Sequence, residues 1–223
     1  MVDSSFLSAF IASRICHDMV SPISSVASAL EMLDDETLEE EMRGPSEDLL
    51  RDGARKLQAY IMFLRYAFGS MGMSDSIADI HEAKRITEDY VNLHRPSIEW
   101  DVDTAHFTYH HVRLLMHMVL YGITCLPRGG TISVEVRDHH GLPSLVVRAR
   151  DKRPKLKPEI VAAIAGEVPD DGWNSRNVNV LFATQVAQEL GTTISANATS
   201  DTEIVFAANK LALNASLNRE GIS

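Results

Sequence analysis

The chain has 223 residues, of which 45% are hydrophobic and 23% are charged, a globular composition that excludes wholesale disorder. The 31 acidic residues outnumber the 21 Lys and Arg, and the net charge of −10 argues against nucleic acid and anionic membrane surfaces as partners. No basic leader precedes the apolar N-terminal stretch, and Cys16 and Cys125 are interpreted as free thiols. We therefore expect a cytoplasmic protein without a membrane span.

The N-terminal segment predicts one long helix over residues 3–33. Its apolar residues recur at spacings of three and four, which is typical of a helix with one buried face. This first seam consists of Ile11, Ile15, Met19, Ile23, Val26, Leu30 and Leu33. Pro22 lies inside the pattern. Because its ring removes a backbone donor and crowds the carbonyl of Asp18, we expect a bend there.

An acidic stretch, residues 34–48, separates this helix from a second one. Gly44 and Pro45 predict a break and Ser46 an N-cap, so the second helix is expected over residues 47–68. Its apolar residues follow a strict heptad, which is typical of an antiparallel hairpin or bundle. This second seam consists of Leu50, Ala54, Leu57, Ile61, Leu64 and Phe68. Both helices carry further apolar residues outside the seams, so we expect two hairpins to pair as a homodimeric four-helix bundle.

The small residues of 69–76 predict a linker, and we divide the chain into a helical hairpin, residues 1–72, and a second domain, residues 73–223. In the second domain the hydrophobic period alternates between helix and strand. Helices are predicted near residues 76–94, 108–125, 157–165 and 176–190, with a strand at 98–103 and two β-hairpins. The sequence therefore predicts an α+β fold with an antiparallel-rich sheet covered by helices on one side.

The candidate functional residue is His17. Each helical residue turns by about 100°, so His17 points away from the first seam. The surrounding face is rich in serine, which suits the docking of a second protein better than a buried pocket for a small molecule. The docking candidates are Phe10, Ser13, Arg14, Val20, Ser21 and Ser24. Asp18 is the candidate group for orienting the imidazole or accepting its proton, although residues i and i+1 do not face each other squarely on a helix.

The segment ICHDMVSPISSVASALEML, residues 15–33, resembles the H-box of sensor histidine kinases, in which an acid follows the histidine and proline stands five residues on. The chain as a whole is similar to the ChpT-type histidine phosphotransferases of the alphaproteobacterial cell-cycle relay. The shared motifs are RxCHDxxSP, FLRYAFG at 63–69, the strand entry at 94–100 and residues 153–167. The resemblance implies a dimeric hairpin followed by a degenerate domain of the histidine-kinase ATPase, or Bergerat, type.

Departures from the kinase pattern favour a phosphotransferase over a kinase. Arg113 and His117 stand where a kinase carries the asparagines that hold Mg²⁺. The glycine loop expected after Asp151 is replaced by Lys-Arg-Pro, and no glycine follows Gly172 in the expected lid over the phosphates. We therefore expect no ATP and no other cofactor, with Mg²⁺ supplied by the partner receiver domain.

The resemblance implies that His17 takes a phosphoryl group from the receiver domain of a CckA-type hybrid histidine kinase. It would then pass the group to response regulators of the CtrA and CpdR types. Two alternatives stay open at this point: an ATP-active kinase with divergent nucleotide motifs, and a non-catalytic dimeric adaptor that docks response regulators.

Overall fold

The computed structural model describes residues 4–69, 75–103, 107–139, 142–175 and 177–209. The helices are α1 (Ser4–Asp34), α2 (Glu40–Ala67), α3 (Ile80–Val91), α4 (Tyr109–Cys125), α5 (Pro158–Ile164) and α6 (Val178–Glu189). The strands are β1 (Pro96–Asp103), β2 (Gly130–His139), β3 (Leu142–Arg150), β4 (Ile194–Ser200) and β5 (Glu203–Ala208). None of the described helices combines the length and hydropathy that crossing a membrane requires.

The five strands form one mixed sheet in the order β1-β2-β3-β5-β4. β1 and β2 are parallel, which the sequence did not predict, and the remaining pairs are antiparallel. Parallel neighbours need a crossover connection, and α4 supplies it. Val134 and Val147 belong to the alternating buried face of the sheet, and they share one core with the buried side chains of α4 and α6. The predicted α+β architecture is confirmed.

The second helix begins earlier than the sequence pattern predicts. α2 starts at Glu40, and Gly44 and Pro45 lie inside it rather than breaking it. Gly44 has no Cβ to clash with the proline ring. The acidic residues of the first turn stabilise the helix start, because they lie at the positive end of the helix dipole. Ser46 is not an N-cap: it is buried, and its hydroxyl donates to the Met42 carbonyl at 2.8 Å.

The base of the hairpin belongs to the same hydrophobic core as the sheet. Phe63, Tyr66 and Ala67, in the last turns of α2, are buried and join the core cluster formed by α3, α4, α6 and the sheet. α3 begins at Ile80 rather than near 76, because the Asp79 carboxylate accepts from the first-turn amides and caps the helix. Most of the expected linker, residues 70–74, and with it the proposed domain boundary, lies outside the described residues, as does the C-terminal segment from residue 210.

Small residues form the contact line between α1 and α2. Pro22 and Ala29 are buried on α1, and Ser46 and Gly53 are buried on α2. A Cβ placed on Gly53 would lie 2.9 Å from Cγ2 of Val26 and 3.5 Å from the Pro22 carbonyl oxygen. The two helix backbones therefore approach closely at Gly53.

Several larger residues of the two seams are not buried in this contact between α1 and α2. The exposed fraction is 51% for Ile23, 45% for Leu30 and 43% for Ile61. These three seam residues are therefore not buried within one hairpin. These three large apolar side chains, which a single chain leaves about half-exposed, are here called the outer stripe.

The close approach at Gly53 predicts an unusual response to alanine. In a helix interior Gly→Ala stabilises by up to about 1 kcal/mol, but crowding a packed site costs about 1–3 kcal/mol. We therefore expect Gly53→Ala to lower the free energy of unfolding by about 1 kcal/mol, measured by urea denaturation. In a Val26→Ala background, which removes the crowded methyl group, the same change should raise it. A stabilising effect in both backgrounds would contradict the close contact.

Candidate functional site

His17 lies on the exposed face of α1, in the middle of the helix. Its side chain is 84% exposed, and its Nδ1 lies 3.2 Å from Oδ1 of Asp18. The carboxylate thus reaches the ring despite the i, i+1 spacing. A carboxylate acceptor at Nδ1 selects the tautomer with hydrogen on Nδ1 and a lone pair on Nε2. The arrangement leaves Nε2 as the nitrogen that can react with an incoming group.

The Asp18 side chain is itself held in place. It is 16% exposed, and its Oδ2 accepts a hydrogen bond from Nε of Arg14 at 2.7 Å. Arg14 and Asp18 are four residues apart, so the helix brings them onto one face. One carboxylate therefore joins a guanidinium through Oδ2 and the candidate imidazole through Oδ1.

The rest of the predicted docking face is open. Val20, Ser13, Ser21 and Ser24 are exposed, and Phe10 is half-buried. Arg14 is the exception, because its guanidinium turns along the helix toward Asp18 instead of standing free.

Sequence reasoning missed Phe6 as a member of this face. Phe6 is exposed, and its ring centroid lies 6.5 Å from that of Phe10. The spacing of four residues between the two rings was the available signal. α1 remains one helix across Pro22, whose buried ring packs on the side of the hairpin contact line.

Behind the Arg14–Asp18 pair lies an aromatic cluster that joins α2 to α3. The Tyr60 ring meets Tyr90 edge-on at 5.3 Å between centroids, and Tyr90 stacks on Phe63 at 3.9 Å. Burial raises the pKa of the Tyr60 phenol; the charge of Asp18 raises this pKa further, and that of Arg14 lowers it. The ion pair is therefore close enough to these rings to act on them electrostatically.

A second polar constellation lies at the C-terminal end of α2. The Ala67 carbonyl oxygen accepts from Nε2 of His117 at 2.8 Å and from Nε of Arg113 at 3.3 Å. The Arg113 guanidinium lies 4.7 Å from the centroid of the Phe182 ring. The His117 ring contacts both Phe68 and Phe182, at 4.9 and 5.2 Å between centroids. The two side chains at the expected asparagine positions are therefore committed to packing and to the hairpin.

The His117 ring is neutral in the folded protein at physiological pH. Burial lowers its pKa from 6.5 to about 3; the hydrogen bond to Ala67 opposes this shift and the charge of Arg113 adds to it. A neutral ring that donates from Nε2 fits the contact with the carbonyl.

The cleft between α4 and α6 is nearly closed. The Tyr121 hydroxyl donates to the Val180 carbonyl at 3.2 Å, which draws the start of α6 onto α4. The cavity that remains there has a volume of about 40 Å³. A wider groove of about 550 Å³ next to it is lined by Glu159, Glu167, Asp170 and Asp171 along with Lys157.

Known protein families and solved structures share the sequence pattern and the fold of this chain. Residues 80–202 match the family model of the histidine phosphotransferase C-terminal domain. The chain belongs to the histidine phosphotransferase family. It is 28% identical over 202 residues, 91% of this chain and 94% of the relative, to Protein phosphotransferase ChpT of Brucella abortus (strain 2308). A solved bacterial phosphotransferase, determined at 1.7 Å, has a TM-score of 0.82 and 27% identity, with 94% of this chain and 98% of that chain covered.

The family model begins after the hairpin, so His17 lies outside the matched residues of this histidine phosphotransferase. The ChpT relative and the solved phosphotransferase each match more than nine-tenths of the chain. The hairpin and the α/β part of the histidine phosphotransferase are therefore shared features of these proteins.

The burial of His117 predicts a loss of stability in acid. Because its folded-state pKa of about 3 lies below the ordinary value of 6.5, the unfolded chain binds the proton more tightly. The stabilisation is complete above pH 6.5 and is lost as the pH falls toward 3, by up to about 1.4 kcal/mol per pH unit. Urea denaturation between pH 7 and pH 5 should show this slope.

The matched comparison uses two glutamine variants. His117→Gln removes the titrating ring, so the slope should flatten, whereas His81→Gln, at an exposed position of α3, should keep it. Equal slopes in wild type and His117→Gln would contradict the assignment of the neutral buried ring.

Proposed function

We propose that this protein relays a phosphoryl group between aspartates of receiver domains through His17. The observation that carries the proposal is the exposed His17 ring whose Nδ1 is engaged by Asp18. A nucleophile in a cleft serves small substrates, whereas one on an open helix face can enter the active site of another protein.

The chemistry follows from the tautomer. Nε2 attacks the phosphorus of the donor's aspartyl phosphate, the bond from phosphorus to the aspartate oxygen breaks, and the donor carboxylate leaves. As the new N–P bond forms, positive charge develops on the ring, and the Asp18 carboxylate stabilises it at Nδ1–H. In the second transfer an acceptor carboxylate attacks phosphorus and the N–P bond breaks, which returns the neutral imidazole.

The remaining requirements of phosphoryl transfer are met by the partner. The charge on the transferring oxygens needs cationic stabilisation, and the Arg14 guanidinium is already paired with Asp18. In this proposal Mg²⁺ comes with the receiver domain. By family resemblance the donor is the receiver of a CckA-type hybrid kinase, and the acceptors are regulators of the CtrA and CpdR types. The exposed members of the docking face are the proposed contact.

We also propose that the protein neither binds ATP nor uses it. The cavity of about 40 Å³ between α4 and α6 holds little more than one water molecule, whereas ligand sites measure about 300–1,000 Å³. The charged residues that line the wider groove beside it are four carboxylates and one lysine, a net negative charge that repels a triphosphate. A nucleotide does not fit the residues present, and the phosphoryl group must arrive already activated.

The outer stripe supports a homodimer. Ile23, Leu30 and Ile61 lie on neighbouring helices and are about half-exposed in the single chain. A stripe of large aliphatic side chains along a two-helix hairpin is covered when two hairpins pack as a four-helix bundle. In such a dimer each copy presents its own His17.

A phosphotransfer assay tests the central proposal. Wild-type protein incubated with a radiolabelled phospho-receiver should acquire acid-labile label, because N-phosphoryl bonds hydrolyse in acid. His17→Ala should acquire none, whereas His81→Ala, which removes an exposed histidine of α3, should be labelled like the wild type.

Three outcomes would contradict the proposal. Label on His17→Ala would place the phosphoryl group elsewhere. Label from ATP alone would establish an active kinase. Receiver binding without any transfer to wild type would favour the adaptor.

A charged residue in the outer stripe should dissociate the dimer. Burying an unpaired carboxylate costs several kcal/mol, so Leu30→Glu is expected to shift the mass in light scattering from dimer to monomer. The control is Val161→Glu, at a comparably exposed apolar residue of α5 outside the hairpin. A wild-type mass of one chain at micromolar concentration would overturn the dimer proposal.

A further inference from the structure

We propose that Arg14 is a positioning residue for phosphotransfer, which acts through Asp18 to select the reactive tautomer of His17. The inference rests on the proposed function of His17 but concerns a different residue. It reverses the expectation that Arg14 belongs to the docking face.

The first observation is the direction of the carboxylate. Residues i and i+1 diverge by about 100° around a helix, so Asp18 has no intrinsic reason to face the His17 ring. Its Oδ2 is fixed at 2.7 Å by Nε of Arg14, and its Oδ1 then lies 3.2 Å from Nδ1 of His17. The guanidinium holds one carboxylate oxygen and thereby directs the other.

The second observation is the shielding of the pair. Asp18 is 16% exposed and the Arg14 side chain 31% exposed, whereas the His17 side chain is 84% exposed. Charge-assisted hydrogen bonds that are partly withdrawn from water are stronger and better ordered than surface pairs. The Arg14–Asp18 pair therefore holds a hydrogen-bond acceptor at Nδ1 of His17, while the imidazole itself is exposed to solvent.

The aromatic cluster supplies the third observation. Burial raises the pKa of both Tyr60 and Tyr90, and on both rings the charge of Asp18 raises the pKa further while that of Arg14 lowers it. Tyr90 belongs to α3 and packs against Tyr60 and Phe63 of α2. The ion pair therefore lies within electrostatic reach of the aromatic cluster that joins the hairpin to α3.

The proposal predicts a spectroscopic signature on His17. In wild type the neutral ring should carry its hydrogen on Nδ1, because Asp18 accepts there. In Arg14→Gln the carboxylate loses its fixed orientation, and the ring should shift toward the Nε2–H form that free histidine prefers. ¹⁵N spectra of histidine-labelled protein, recorded at a pH where histidine rings are neutral, report the tautomer. The signal absent from His17→Ala identifies His17.

A chemical phosphodonor separates positioning from docking. Phosphoramidate presents no protein surface; Nε2 attacks its phosphorus, the P–N bond breaks and ammonia leaves. We expect Arg14→Gln to be phosphorylated on His17 about tenfold more slowly than wild type. Arg14→Lys can still pair with Asp18 at the i, i+4 spacing and should recover most of the rate. Asp18→Asn should be at least as slow as Arg14→Gln.

The matched control is Arg85→Gln. Arg85 pairs with Asp89 at the same spacing and in the same order on α3, at 3.3 Å. Its loss removes one cation and one helical ion pair of the same type, so it should change neither the tautomer nor the rate.

The outcomes decide the proposal. A tautomer shift together with slower phosphorylation in Arg14→Gln, rescued by Arg14→Lys, supports it. An unchanged tautomer overturns it, and slow transfer from a phospho-receiver with a normal phosphoramidate rate would return Arg14 to the docking face. If wild type accepts no label from any receiver, the proposed function fails, whereas the tautomer spectra still decide the role of Arg14.

Discussion

The packing of the hairpin against the sheet depends on the hydrogen bonds made to one backbone carbonyl, that of Ala67 at the end of α2. The C-terminal carbonyls of a helix lack partners within the helix, and leaving one buried and unpaired costs about 1–3 kcal/mol. Here the Ala67 oxygen accepts hydrogen bonds from Arg113 and His117 of α4. The Phe182 ring packs against both donors, and Phe68 packs against His117. Arg113 and His117 therefore serve the joint between the hairpin and the sheet.

This joint gives the second domain a structural role. Because the base of α2 lies in the same core as the sheet, α3 is brought against the hairpin, and Tyr90 of α3 stacks on Phe63 of α2. His17 thus lies on a helix, α1, that packs against α2, and its imidazole is exposed to solvent. A site of this kind needs a rigid platform and an approachable surface more than it needs a cleft.

The sequence predicted the order and type of the elements, because hydrophobic periodicity is a local signal. It failed where long-range contacts decide: the parallel pairing of β1 with β2, and the burial of Ser46 in a helix expected to begin after Pro45. For the site, periodicity placed His17 and Asp18 on α1. It did not predict that Arg14 pairs with Asp18, because spacing alone does not show which partner a guanidinium takes.

Small and large apolar residues of the hairpin have different roles: small ones line the contact between α1 and α2, and several large ones stay exposed in one chain. A heptad pattern predicts that one face of a helix is buried, but it does not show which helix covers that face. Within one chain the helices meet through Pro22, Ala29 and Gly53, whose small volumes allow close backbone approach. Close approach along this line turns Ile23 and Leu30 outward, where one chain cannot cover them. The glycine and proline that look like defects in a helix therefore place the large side chains where a second hairpin can cover them.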